Sequence, residues 1–210
     1  MPEWTDRGVS LGLRRFGETG AILDAFTRGQ GKRRGLIYGG ASRAKRAALQ
    51  AGNTLALTWR AKASESLGHF AVAEPEAERT ARHLSSPASL AAMTAAADLV
   101  LAAVPEGEPK PGLFDAFETL LNALGEDEVW PALFVRWEVG LLAALGYGLD
   151  LSRCALTGAR DGLTHVEHGQ NLCFETGKVG EPLLILASGL KVKRFPNCGS
   201  AHRAMDGLLA

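Results

Sequence analysis

The sequence has few cysteines and no long apolar segment, and each absence excludes a class of protein. Cys154, Cys173 and Cys198 lie far apart and form no CxxC pair, so we expect neither a disulfide framework nor a bound metal. Because no run of about 18 apolar residues occurs, no membrane-spanning helix is expected. The N-terminus also lacks the basic start and apolar stretch of a secretory signal, so the expected location is the cytoplasm.

Motifs of several common enzyme classes are missing as well. The chain has no GxxxxGK(S/T) phosphate-binding loop, no GxSxG nucleophile elbow and no HExxH metalloprotease helix. Its acidic residues form no evident pair for a metal-dependent nuclease, and its histidines are too scattered to nominate a catalytic centre. We therefore expect a protein that is not an enzyme and uses no cofactor, with a hydrolase or transferase of unrecognised motif as an alternative.

Charge is distributed unevenly although the whole chain is neutral. Residues 1–70 carry 12 Lys and Arg against 5 Asp and Glu, a net charge of +7, whereas residues 71–210 carry 11 against 18, a net charge of −7. Such asymmetry is typical of a chain in which one part binds a polyanion. Residues 74–150 carry 13 acidic and 4 basic side chains, so this region should repel a phosphate backbone.

Residues 5–75 show the period-two pattern of β-strands. Apolar residues alternate or cluster in five short runs, and glycine-rich breaks separate the runs. This pattern predicts a small barrel of the OB type, with an SH3-like barrel or a sandwich as alternatives. The runs contain Val9, Leu11 and Leu13; Ala21 to Leu23 with Phe26; Gly35 to Tyr38; Leu55, Leu57 and Trp59; and His69 to Val72.

Residues 76–148 change to the periodicity of helices. Ser86 followed by a proline predicts a helix start, and Pro111 opens a second helix whose apolar residues share one face. A third helix begins near Trp130 and ends near Gly146. Because each helix has an apolar face, we expect the three to pack together. Beyond this region the apolar periodicity is weak.

The strongest functional signal is the set of basic residues in the first 70 positions. They fall in predicted loops and strand ends, which favours a groove that follows a nucleic-acid backbone over a recognition helix. Each charge placed against a phosphate releases counterions, so we expect strong, salt-sensitive binding if these side chains gather on one surface. A solvated basic face that binds nothing is the alternative. The candidate DNA-binding residues are Arg14, Arg15, Arg28, Lys32, Arg33, Arg34, Arg43, Lys45, Arg46 and Arg60.

Aromatic residues able to stack on bases are few in the same region. Strand alternation places most of them on the inner face, so we expect them mainly in the core rather than on a binding surface. They are Trp4, Phe16, Phe26, Tyr38, Trp59 and Phe70.

Three stretches, in the same order and spacing, resemble the RecO family. The first has the family's GE(T/S) turn before a strand ending in FT, and the second has its basic loop, GK/R…KGAR(S/R)…LQP. The third resembles its RFE…LL…LGYG…L..C helix end. The resemblance spans roughly residues 4–160. The matching residues are Gly8 to Arg15, Gly17 to Thr19 and Ile22 to Thr27; Gly29 to Lys32, Gly39 to Arg43 and Leu49 to Gly52; and Arg136 to Leu142, Leu145 to Asp150 and Cys154.

The resemblance implies an α+β multidomain fold. It places a five-stranded OB-fold β-barrel at residues 1–75, an α-helical domain at 76–150, and a degenerate zinc-finger-like and C-terminal segment at 151–210. Many members of the family carry a four-cysteine zinc finger after the LGYG helix, but this sequence keeps only Cys154 at the expected place. Zinc is therefore not carried over. Residues 171–210 also depart from the family pattern, so no function is assigned to them.

The resemblance also implies a function in recombinational DNA repair. A member of this family would bind single- and double-stranded DNA, anneal complementary strands, and help RecA load onto strands coated with single-stranded-DNA-binding protein. The implied partners are RecR, the C-terminal tail of the single-stranded-DNA-binding protein and, indirectly, RecA, at the nucleoid and not at a membrane. On composition alone, a basic OB-type module that binds RNA and serves as an assembly platform stays open as the alternative.

Overall fold

The computed structural model describes residues 2–62, 67–126, 128–148, 152–153 and 160, and the backbone of residues 165–168 and 172–175. The chain divides into two units, Met1–Leu145 and Gly146–Ala210, each described here by itself. The first unit holds a β-barrel and three longer helices. The described part of the second unit holds a short hairpin.

Five strands form the N-terminal part of the first unit. They are β1 (Glu3–Phe16), β2 (Gly20–Thr27), β3 (Gly31–Ile37), β4 (Thr54–Arg60) and β5 (His69–Ala77). They close into a barrel in the order β1-β2-β3-β5-β4, and every pair is antiparallel except β3 with β5. Each strand holds one of the five apolar runs seen in the sequence, except that Tyr38, the last residue of the third run, follows the end of β3. The predicted five-stranded OB-fold barrel is therefore confirmed.

The barrel interior follows from strand alternation. On β2, Leu23 and Ala25 are buried in the barrel core, and Asp24 between them belongs by alternation to the outer face. The core also contains Leu55 and Leu57 of β4. Full burial of one such leucine contributes roughly 1.5–3 kcal/mol, so the inward-facing apolar residues stabilise the closed barrel.

A short helix that the sequence pattern did not predict follows β3. Helix α1 spans Arg43–Ala48, and the Ser42 hydroxyl at its N-terminus accepts a hydrogen bond from the Lys45 amide. The expectation that Arg43, Lys45 and Arg46 occupy loops or strand ends is therefore wrong. A serine N-cap and three alanines favour the helix, whereas six residues are too few to display an apolar period.

Three longer helices follow the barrel, each with a proline in its first turn. They are α2 (Pro87–Ala103), α3 (Pro111–Ala123) and α4 (Trp130–Ala144). The Ser86 hydroxyl caps α2 by accepting from the Ser89 amide, and Gly146, with a φ of 87°, comes two residues after the end of α4. The helix starts and stops predicted from these positions are confirmed.

Two lysines outside α2 and α4 cap the C-termini of these helices. Neither helix has a basic residue in its own last turn. Lys32 of β3 donates to the carbonyl oxygen of Leu101 at 2.6 Å, and Lys110 donates to the carbonyl oxygen of Ala144 at 3.1 Å. Both contacts satisfy carbonyls that have no partner within the helix, and they place positive charge at the negative end of its dipole.

The barrel and the helices share one hydrophobic core. Val9, Leu11 and Phe26 of the barrel are fully or almost fully buried among the apolar residues of α2, α3 and α4. The Phe26 ring lies 5.7 Å from the Phe114 ring, centroid to centroid. Phe26 is thus a barrel residue whose burial depends on a helix that begins 85 residues later in the chain.

A buried ion network joins the same two layers. Arg79 is 3% exposed, and its guanidinium donates to Glu118 at 3.3 Å, to Asn122 at 2.8 Å and to the Thr54 hydroxyl at 2.5 Å. The other carboxylate oxygen of Glu118 lies 2.9 Å from the Arg7 guanidinium. Burial lowers the pKa of Arg79, and the adjacent Glu118 carboxylate opposes that shift. Strands β1 and β4 are thereby tied to α3.

Two glycines permit the close approach of the barrel to the helical layer. Gly52 has a φ of 90°, and a Cβ there would lie 2.1 Å from the Met93 sulfur of α2. Gly31 has a φ of 72°, and a Cβ there would lie 2.3 Å from the Glu108 carbonyl oxygen. A larger residue at either position would be strained in its backbone and would clash.

The second unit contains the hairpin β6 (His165–His168) and β7 (Leu172–Glu175), which pair antiparallel. The degenerate finger-like insertion predicted after residue 150, and residues 176–210, lie outside the described residues apart from this hairpin and a few isolated positions. Among the described residues, no helix has the length and apolar character needed to cross a membrane.

Candidate nucleic-acid interface

Four of the ten candidate cations lie on α1 and on the adjoining end of β1. Arg15 and Arg46 line one cleft of about 260 Å³, together with Gly40 in the loop before α1. Arg43, Lys45 and Arg46 are exposed on α1. We call Arg15, Arg43, Lys45 and Arg46 the α1 rim.

The four cations of the α1 rim outnumber the one acidic side chain beside them, Glu18, which lines the same cleft. Within the described residues, none of the four cations forms an ion pair with a carboxylate. Two of them are held by backbone carbonyls instead: Arg15 donates to Gly17 and Glu18 at 3.3 and 3.2 Å, and Lys45 donates to Tyr38 at 2.9 Å. These contacts orient the side chains and leave their charges available to an anion.

Arg14 and Arg34 share one buried carboxylate on the outer face of the barrel. The side chain of Asp24 is 4% exposed and accepts from Arg34 at 2.6 Å and from Arg14 at 3.3 Å. The hydrogen bond to Asp24 raises the pKa of Arg34. Two guanidinium groups over one carboxylate leave a net positive charge, and both arginines remain accessible, with side-chain exposures of 61% and 41%.

Three other candidates lie where the barrel meets the helical layer: Arg28, Lys32 and Arg33. We call these three, together with Arg7 and Arg79, the barrel–helix junction. Arg28 holds Asp115 of α3 through two hydrogen bonds of 2.8 and 2.9 Å, which lower the pKa of the Asp115 carboxyl. Lys32 caps α2, and burial lowers the pKa of its amine. Arg33 donates to the carbonyl oxygen of Gln30 at 3.1 Å.

The two groups lie at opposite ends of the β2–β3 ladder. The pair Ala21–Ile37 is at the end that leads to α1, and the pair Thr27–Gly31 is at the junction end. Six residues of ladder separate the pairs, which corresponds to about 20 Å at roughly 3.3 Å per residue. The tenth candidate, Arg60, pairs with Glu3 at 2.8 Å on β1 and β4. The structure therefore brings together the α1 rim, with Arg14 and Arg34 farther along the ladder, and separates Arg28, Lys32 and Arg33 from it.

The aromatic residues divide between the core and the surface. Phe26, Trp59 and Phe70 are buried, and Trp4 stacks on Trp59 with ring centroids 5.6 Å apart. Phe16 and Tyr38, in contrast, are 52% and 66% exposed. The sequence contained a signal for Tyr38 that the alternation argument did not use: a Gly-Gly pair follows it directly, so it stands at a strand end where the inward–outward pattern stops.

No cluster of three or more His, Cys, Asp or Glu side chains able to hold a metal occurs among the described residues. Cys154 and Cys198 lie outside those residues, and for Cys173 only the backbone is described. The prediction that the protein binds no metal therefore stays a prediction.

Two family models match the chain, and together they cover most of it. The model described as "Recombination protein O N terminal" matches residues 1–78, which contain the whole barrel. The model described as "Recombination protein O C terminal" matches residues 84–186, which contain α2, α3, α4 and the hairpin.

Curated relatives agree with the family models. The chain is 54% identical over 164 residues to the DNA repair protein RecO of Hyphomonas neptunium, an alignment that covers 78% of this chain and 68% of the relative. It is 40% identical over 213 residues to the DNA repair protein RecO of Methylorubrum populi, covering 98% and 85%. For the protein of the same name from Methylobacterium nodulans the identity is 44%, covering 97% and 83%. The chain, with its closed barrel, basic α1 rim and attached helical layer, therefore belongs to the RecO family of DNA repair proteins.

Proposed function

We propose that this protein acts in recombinational DNA repair as a non-enzymatic mediator that binds DNA through the α1 rim. The observation that carries the proposal is the set of four cations without acidic partners among the described residues, at the α1 end of an OB-fold barrel. OB-folds bind oligonucleotides on the face of strands 2 and 3 and beside the loop between strands 1 and 2, and Arg15 precedes that loop.

Arg14 and Arg34 extend this basic surface along strands β1 and β3. Their side chains reach solvent over the buried Asp24, so a strand that follows the β2–β3 face would meet them after the α1 rim. Each phosphate neutralised by such a cation releases condensed counterions and lowers the free energy of binding at low salt. Six contacts of this kind are enough for strong, salt-sensitive affinity.

The distribution of acidic residues also favours binding of DNA at the α1 rim. Asp98 of α2, Glu106 after it, and Glu126 and Glu128 before α4 are exposed in and beside the helical layer. None of them forms an ion pair with another described residue. Like charges repel a phosphate backbone over about 8 Å at physiological salt. A DNA strand is therefore favoured at the α1 rim and disfavoured at the helical layer.

The mechanism follows from charge screening. A basic surface that holds single-stranded and double-stranded DNA can bring two complementary strands together and reduce the repulsion between their backbones, which allows annealing. In the same proposal the protein acts with RecR and with the C-terminal tail of single-stranded-DNA-binding protein, so that RecA loads onto the coated strand. The apolar helical layer is the part suited to receive such a tail.

Charge reversal on α1 tests the proposal. In the double variant R43E/R46E we expect the affinity for oligo-dT, measured by fluorescence anisotropy, to fall at least tenfold near physiological salt, with a shallower dependence of log K on log salt. R28E is the control for reversal of an exposed charge, because Arg28 is also exposed but is paired with Asp115. Unchanged affinity of R43E/R46E with its fold intact would refute the proposal.

Competition separates the DNA-binding function from the alternative of an RNA-binding module. Unlabelled single-stranded DNA and a structured RNA of equal nucleotide content compete for the bound oligo-dT at one salt concentration. We expect the DNA to displace the probe at lower concentration than the RNA. Stronger displacement by the RNA would favour the RNA-binding function on the same basic surface.

A further inference from the structure

Tyr38 is a large aromatic side chain left in solvent at the α1 rim. It follows directly on the last residue of β3 and is 66% exposed. Its ring lies 5.7 Å from the ring of His69, centroid to centroid, at an angle of 59°. Burial in the barrel core would have removed this side chain from water, as it does for Ile37 next to it.

A recess lies beside the Tyr38 ring. It has a volume of about 250 Å³, and its lining includes His69, Ala71 and Ala73 along β5. Strands β3 and β5 run parallel with Leu36 opposite His69, and Tyr38 and Ala71 both line the recess beyond this pair. The small alanines leave the space open. We call Tyr38, His69 and this recess the Tyr38 ledge.

The ledge is fixed to the basic surface rather than separate from it. Lys45 is among the residues that line the recess, and its amine donates to the Tyr38 carbonyl oxygen at 2.9 Å. This contact ties α1 to the end of β3 and uses one of the three donors of the ammonium group. A strand whose phosphate contacts Lys45 would therefore carry its bases next to the Tyr38 ring.

We infer that the Tyr38 ledge is a base-stacking site, on which an unpaired base of a strand held by the α1 rim stacks against the Tyr38 ring. Charge complementarity identifies the occupant as part of a nucleic-acid strand. Lys45 lines the recess, and the α1 rim beside it is the surface proposed to bind the anionic strand. The bases of a duplex are already stacked on each other and cannot enter. The ledge therefore gives the protein a preference for single strands, which the cations alone do not provide.

This inference rests on the proposed DNA-binding function, and the test separates the two. Three labelled probes of equal length are used: oligo-dT, a duplex, and a single strand whose nucleotides lack bases. In Y38L we expect the affinity for oligo-dT to fall by about 5- to 150-fold, the equivalent of the roughly 1–3 kcal/mol lost with one aromatic–base stack. Affinity for the duplex and for the base-free strand should change by less than about twofold.

Conservative and matched variants complete the experiment. Y38F keeps the ring and should retain wild-type affinity for oligo-dT, whereas Y147L replaces another tyrosine of similar exposure, 71%, and should have no effect. Because stacking is not ionic, Y38L should leave the dependence of log K on log salt unchanged, in contrast to R43E/R46E. Side-chain replacement at Tyr38 also preserves the carbonyl that Lys45 contacts.

The outcomes are distinct. If wild-type protein binds all three probes and Y38L binds oligo-dT equally well, the stacking site is refuted and the DNA-binding function stands. If wild-type protein binds none of the probes, both fail. An equal loss by Y38L on all three probes would also overturn the inference. Should Y38L fold poorly, oligonucleotides with a single 2-aminopurine provide a second measurement on the wild type: fluorescence quenching on binding supports the site, and its absence at every position contradicts it.

Discussion

At the α1 rim, Arg43 and Arg46 face solvent, with no carboxylate paired to them among the described residues. At the barrel–helix junction, Arg7 and Arg28 are equally basic and similarly exposed, with side-chain exposures of 47% and 54%, but each holds a carboxylate of α3. The residue type is the same, and the difference lies in what the fold places opposite it. A cation with an internal partner stabilises the packing of two layers, whereas a cation without one is available to an external anion.

The largest effect should come from the buried end of the junction. Replacing Arg79 by Met leaves Glu118 without its buried counter-charge and leaves Thr54 and Asn122 without a donor. We expect the free energy of unfolding to fall by about 3–5 kcal/mol, measured by urea denaturation. R46M, at the α1 rim, should change it by less than about 0.5 kcal/mol. A loss of equal size in both variants would remove the contrast between the two regions.

An intermediate effect should come from Lys32, which the sequence nominated for DNA binding and the structure places against α2. In K32M we expect the free energy of unfolding to fall by about 1 kcal/mol, because the Leu101 carbonyl loses its cap. The affinity for oligo-dT should not change. R46M should show the reverse, with weaker binding and unchanged stability. If K32M weakens binding as much as R46M does, the junction end of the ladder also contacts DNA.

The smallest effect should come from the exposed pair of Arg28 and Asp115. The folded protein holds the pKa of the Asp115 carboxyl below its ordinary value, so the carboxylate stabilises the fold above that value and loses this contribution as the pH falls through the lowered pKa. D115N should therefore have a slightly lower urea midpoint than wild type near pH 7, and the two midpoints should converge as the pH falls below the lowered pKa of Asp115. A difference between the two urea midpoints that persists in acid would mean that Arg28 and Asp115 stabilise the fold by packing rather than by charge.

Much of the fold was predictable because its signals are local. Leu55, Leu57 and Trp59 alternate as a half-buried strand must, and Ser86 with the following proline marks the start of α2. Helix α1 was missed because six residues give no measurable period. Alternation was expected to place most of the aromatics inward, whereas Tyr38 follows the last residue of β3, where alternation stops, and is exposed.

The candidate site was less predictable, since it depends on contacts distant in sequence. Nothing near Arg28 in the chain indicates that Asp115 neutralises it, 87 residues away. The same holds for Lys32 and the Leu101 carbonyl. The count of charges along the sequence identified the basic region. The structure was needed to distinguish cations that face solvent from cations that join the barrel to the helices.

The position of Phe26, at the contact of barrel and helices, has a consequence for how the chain can be divided. The two family models meet between residues 78 and 84, but a fragment ending there would leave Val9, Leu11 and Phe26 as an uncovered apolar face. Such a fragment would tend to self-associate, whereas residues 1–145 should unfold in a single cooperative transition. A substitution in α3 at Phe114 would therefore also destabilise the strands that carry Arg14, Arg15 and Arg34, three of the candidate cations.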